Sequence, residues 1–117
     1  MSEWSILRRT LSLLLLLAAP AVAHAGDAEK GKILYSSRCA FCHGASGKGD
    51  GVAAAALKPP ATNFTSAEFW KSATPQTLKA AIENGTPGTA MVAFKASLNA
   101  EQVDDLLAYL QTFKAPQ

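Results

Sequence analysis

The sequence predicts an all-helical domain, and three observations predict it. Val103, Leu106, Leu107, Leu110 and Phe113 recur at helical spacing; Thr74-Pro75 opens a second periodic segment that Gly85 closes; and no stretch alternates apolar and polar residues as a strand would. No internal repeat or low-complexity tract interrupts residues 26–117. A chain of 117 residues holds one domain.

Residues 1–25 read as an export signal in three regions: Arg8 and Arg9, the apolar run Leu11 to Ala19, and Ala23-His24-Ala25 before Gly26. The run falls short of the roughly 20 residues that a bilayer span needs. The expectation is therefore a cleaved signal peptide over 1–25 and a domain over 26–117, with no membrane anchor after cleavage. Two adjacent arginines do not by themselves make a twin-arginine signal, and ordinary secretion fits better.

Loss of residues 1–25 removes Arg8, Arg9 and Glu3, leaving nine basic and eight acidic side chains. The remaining lysines scatter from Lys30 to Lys114, so no basic footprint for nucleic acid forms. The same cut removes Met1 and His24, which leaves His43 and Met91 as the sole histidine and sole methionine. Cys39 and Cys42 stay, in a chain bound for an oxidising compartment where an idle thiol pair tends to form a disulfide.

Along the domain, Asp27 caps a helix running through Tyr35 toward Cys39, with Gly31, Leu34, Tyr35 and Cys39 as its stripe. After His43, the glycines at 44, 47, 49 and 51 give a loop. Pro59-Pro60 keeps the segment to Asn63 extended, and a short helix near Ser66 to Lys71 follows. Thr74 is a cap, Pro75 the first helical residue, Leu78, Ala81 and Ile82 the buried face, and Gly85 the stop. In the last helix Asn99 and Gln102 form a capping box, and Leu98 and Val103 a hydrophobic staple. Its apolar face leaves Asp104, Asp105 and Gln111 toward water. A core of three or four short helices is marginal on its own, so a buried cofactor would supply its apolar centre.

Cys39-Ala40-Phe41-Cys42-His43 concentrates the chemistry. Cysteines three apart at a helix end project to one side, which suits two thioethers to one porphyrin edge with the adjacent histidine reaching iron; C-x-x-C-H is an attachment signature for haem c. A disulfide, a thioredoxin-like pair and half a zinc site are the alternatives. The thioredoxin pair wants a βαβ setting, and zinc would need a carboxylate or water as its fourth ligand. Gly47-Lys48-Gly49-Asp50-Gly51 lacks the lysine-serine ending of a phosphate loop and the spaced carboxylates of a calcium loop, and reads as an exposed turn.

With Gly31 and Tyr35 ahead of this string, Asn84-Gly85-Thr86-Pro87-Gly88-Thr89-Ala90-Met91 before Phe94, and Leu106-Leu107-Ala108-Tyr109-Leu110 near the end, the chain resembles a class I, mitochondrial-like monohaem cytochrome c of the bacterial periplasmic type over residues 27 to 113. The resemblance implies a small cytochrome c fold of three to five helices around one covalent haem, the first and last helices crossing with Gly31 and Tyr35 against Leu106 and Tyr109. It implies thioethers at Cys39 and Cys42, and His43 as an axial iron ligand. A lone methionine is more often core filling, but the ligand-loop likeness and the lack of a second mature histidine make Met91 the expected second ligand. By the same resemblance the carbonyl of Pro59 or Pro60 receives the second nitrogen of His43, while Asn63, Trp70 and Thr86 are candidate donors to the propionates.

The implied function is a periplasmic, monomeric, one-electron carrier and not an enzyme, with redox partners among membrane complexes, oxidases or dehydrogenases. The alternatives are a cytochrome subunit of a dehydrogenase complex, and a five-coordinate haem protein that binds gas or reacts with peroxide while Met91 is merely packed.

Overall fold

A computed structural model of the protein describes residues 25–115. Most of the expected signal peptide, with Arg8, Arg9 and the apolar run, lies outside the described residues. Five α-helices follow one another: α1 (Ala28–Arg38), α2 (Ala40–His43), α3 (Ala67–Ser72), α4 (Pro75–Asn84) and α5 (Ala100–Leu110), with 3-10 turns at Ala54–Ala56 and Gln111–Phe113. Among the described residues there is no strand, and the all-helical expectation is met.

Four of the five helices, α2 excepted, start at a side-chain cap. The Asp27 carboxylate accepts the N–H groups of Glu29 and Lys30 at 3.0 and 3.2 Å, and the Ser66 hydroxyl accepts from Phe69 at the start of α3. At α5 Asn99 and Gln102 form the reciprocal capping box, both bonds under 3 Å at 2.8 and 2.9 Å. A second such box at α4, between Thr74 and Thr77, escaped the sequence reading because Thr77 is neither Glu nor Gln, the usual residues at that position.

The architecture turns on the crossing of α1 with α5. Gly31 is buried there, and a Cβ on it would run into the Asp105 carbonyl and stand 2.9 Å from the Tyr109 Cβ, so only a bare Cα fits. Beside the crossing Tyr35 packs against Tyr109 and Phe113, ring centres 5.2 and 5.4 Å apart. Leu106 is buried in the same core, with Phe64, Trp70, Leu78, Ile82, Leu98, Val103 and Leu110.

One expectation on α5 is corrected. Asp105 does not face water: it is 3 % exposed and its carboxylate accepts the Asp27 backbone N–H at 2.7 Å. The third helical residue of α1 is Lys30, which cannot reach back as an acceptor, so the cap's own N–H takes a carboxylate from the opposite helix instead.

Candidate functional site

α2 is a single turn that hangs Cys39, Cys42 and His43 on one rim of a cleft of about 290 Å³. α4 supplies Leu78, Ala81 and Ile82 to its wall, the loop after α4 supplies Thr86, Thr89, Ala90 and Met91, and Pro59, Pro60 and Thr62 come from the extended segment. Gly85, at φ +70°, starts the methionine loop; a Cβ there would lie 2.7 Å from the Met91 carbonyl oxygen. The loop is then closed by Thr86 N–H to the Met91 carbonyl at 3.0 Å and by the Met91 N–H to the Thr89 hydroxyl at 3.1 Å. Residues distant in sequence, His43 and Met91, thus share one apolar hollow.

His43 sits in low dielectric, and burial lowers its pKa against the opposing pull of the Thr62 carbonyl. Its Nδ1 lies 3.1 Å from that carbonyl oxygen. A carbonyl can only accept, so the bond requires the proton on Nδ1 and leaves the Nε2 lone pair for a metal. The Phe64 ring stacks on the imidazole at 4.6 Å and 24°. Burial pushes the Cys39 thiol up to about 11, with Arg38 pulling it down and Cys42 adding to the rise. Both thiols are free.

Four of the expected site residues, Cys39, Cys42, His43 and Met91, line the cleft together with Pro60 and Thr86. Three expectations change. The carbonyl at His43 belongs to Thr62, not to Pro59 or Pro60, which instead form wall. The Trp70 indole N–H is committed to the Phe64 carbonyl at 2.6 Å, which removes it as a donor to a ligand. Asn63 is absent from the lining; its side-chain oxygen accepts the N–H and hydroxyl of Thr65 at 2.9 and 2.6 Å and shapes the turn into α3. Phe64 and Thr62 were missed because neither a backbone carbonyl nor a phenyl face leaves a mark in local sequence pattern.

Two thiols, an imidazole and a thioether around apolar walls suit a flat, mostly apolar macrocycle with a metal at its centre. Among the described residues no three His, Cys, Asp or Glu side chains gather as a metal-ion cage, so zinc lacks its tetrahedral donor set.

Comparison with known proteins gives the family of the chain. The family model described as cytochrome c matches residues 28–114. Cytochrome c-554(547) of Halothiobacillus neapolitanus is 37% identical over 92 residues, covering 77% of this chain and 100% of that protein. Among solved structures, a chain of the reducing HAO-like protein complex of Kuenenia stuttgartiensis superposes with a TM-score of 0.66 at 27% identity; the match covers 77% of this chain and 44% of that one. A second solved structure, described as a c-type cytochrome, gives a TM-score of 0.61 at 30% identity, over 73% of this chain and 98% of that one.

Proposed function

Because the chain belongs to the cytochrome c family and carries haem c for electron transfer, we propose that Cys39 and Cys42 form the thioethers, that His43 and Met91 take the two axial positions on iron, and that the protein is a diffusible one-electron shuttle. The carrying observation is the shared cleft, into which α2 brings both cysteines and the histidine while the loop after α4 brings the methionine. The haem supplies a ferric/ferrous couple.

The residues do the rest. His43, its pKa lowered by burial and its ring aligned by the Thr62 carbonyl, presents one nitrogen. The soft thioether of Met91 favours ferrous iron and so raises the reduction potential relative to two imidazoles. Were His43 and Met91 both to hold the iron, no site would be left on it for oxygen or peroxide, and the haem would supply outer-sphere electron transfer. The apolar wall of Leu78, Ile82 and Leu110 excludes water, which also limits reorganisation.

Export is part of the same proposal: residues 1–25 are a cleaved signal, the mature domain is periplasmic, and its partners are membrane complexes, oxidases or dehydrogenases of a respiratory chain. No helix among the described residues is long and apolar enough to cross a membrane. A second reading, a subunit docked on a catalytic partner, is favoured by the likeness to part of a chain in the HAO-like complex. Size chromatography from the native source separates a shuttle, eluting near monomer mass, from a docked subunit.

Visible spectroscopy tests the ligation. The expected result is a low-spin c-haem α-band with a weak far-red iron–sulfur band that disappears in Met91→Ala. A far-red band that survives the substitution removes Met91 from iron.

A further inference from the structure

The hydrogen bonds of the loop after His43 run to both sides of the site. Gly49 N–H donates to the carbonyl of His43 itself at 2.8 Å, and Phe64 N–H donates to the Gly47 carbonyl at 2.7 Å. The turn therefore ties the backbone of the histidine to the segment that carries Thr62 and Phe64. Gly49, at φ +75°, lies so close to that segment that a Cβ on it would stand 2.5 Å from the Ala61 carbonyl oxygen and 3.3 Å from that of Thr62. Thr62 offers its carbonyl to the edge of the imidazole and Phe64 lays its ring on the face.

We infer that Gly47–Gly49 and Phe64 are positioning elements for His43: the turn fixes the distance of the Thr62 carbonyl from Nδ1, Phe64 fixes the ring plane, and together they set how strongly the imidazole donates to iron. The inference rests on His43 being an axial ligand. A carbonyl held on Nδ1–H raises the basicity of the opposite nitrogen. The more basic ligand stabilises ferric iron and lowers the potential, so any change that loosens the Thr62 bond raises it. A Cβ at Gly49 must displace a carbonyl, and loss of the Phe64 ring lets the imidazole swing; both act through the same bond.

The test uses the haem-loaded protein and the variants Gly49→Ala, Phe64→Leu and their double. Three readouts are taken: exchange of the His43 Nδ1–H by NMR in the ferrous state, the ferrous-to-ferric ratio at the wild-type midpoint, and the far-red band. The expected result is faster Nδ1–H exchange and a several-fold higher ferrous share in each single variant with the far-red band retained. The double variant should shift less than the sum of the singles, because coupled residues that work through one contact are not additive. If Gly49→Ala fails to load haem, Phe64→Leu decides alone. Folded variants with wild-type exchange and ratio overturn the inference, as does a shifted ratio without altered exchange. A ferrous wild-type NMR spectrum in which the His43 ring protons lack the ring-current shift of an iron-bound imidazole strikes instead at His43 as ligand.

Discussion

Tyr35 shows how one hydroxyl ties the helix crossing to the site. The ring is 1 % exposed between Tyr109 and Phe113, and its O–H donates to the Gly44 carbonyl at 2.7 Å, immediately after His43. Tyr35→Phe should cost about 1 kcal/mol, the usual net value of one such bond, read as a lower melting temperature. Burial, reinforced by Cys39, Tyr109 and Asp50, raises the Tyr35 pKa above its ordinary value. The folded state thus holds a proton that the unfolded state gives up, and stability falls as pH rises past about 10, the ordinary tyrosine value. Melting curves across the alkaline range should show that decline weakened in Tyr35→Phe. A decline of equal steepness in both proteins would mean that the buried phenol is not its source. At this scale the gathering of Cys39, Cys42, His43 and Met91 at one cleft was legible, because the chemistry of a side chain is written in its identity and spacing. The Thr62 carbonyl was not legible: any residue can supply a backbone acceptor, and only the path of the chain decides which one arrives. Trp70 failed as a ligand donor for the complementary reason, a nearer carbonyl having taken its N–H.

Among the elements, α1 and α5 matter most, and their contact is unforgiving. Gly31→Ala places a methyl against the Asp105 carbonyl with backbone on both sides, so overpacking should cost about 1–3 kcal/mol. Thermal unfolding of the haem-loaded protein checks this, and an unchanged midpoint would show that the helices can part without penalty. Asp105→Ala leaves the Asp27 N–H without its acceptor beneath the crossing and should cost about 1–3 kcal/mol. Asp105→Asn, which keeps an acceptor oxygen, should recover much of that loss. The helix boundaries were readable since caps are local; α4 and α5 begin where Thr74 and Asn99 place them. The inward turn of Asp105 was not readable, because periodicity assigns a side of a helix while the close approach at Gly31 decides how far the partner wraps around it.

For the molecule as a whole, the proposed ligation by both the imidazole and the thioether that line one cleft is what would separate a carrier from a ligand-binding haem protein. Carbon monoxide mixed with the reduced protein should bind slowly and to a small extent, and far faster in Met91→Ala; flash photolysis or stopped-flow absorbance measures both. Rapid binding to the wild type would favour the five-coordinate alternative.

The helix that completes the cleft is also the last to be made. Leu110 of α5 belongs to the wall, and Cys39 packs against the core that α5 closes, whereas both cysteines lie in the first half of the chain. A polypeptide that emerges amino end first therefore presents both thiols during an interval when burial has not yet raised the Cys39 pKa. Timing of cofactor ligation is in this way written into the order of the helices, and a chain halted before residue 100 should accept the prosthetic group yet never shut around it.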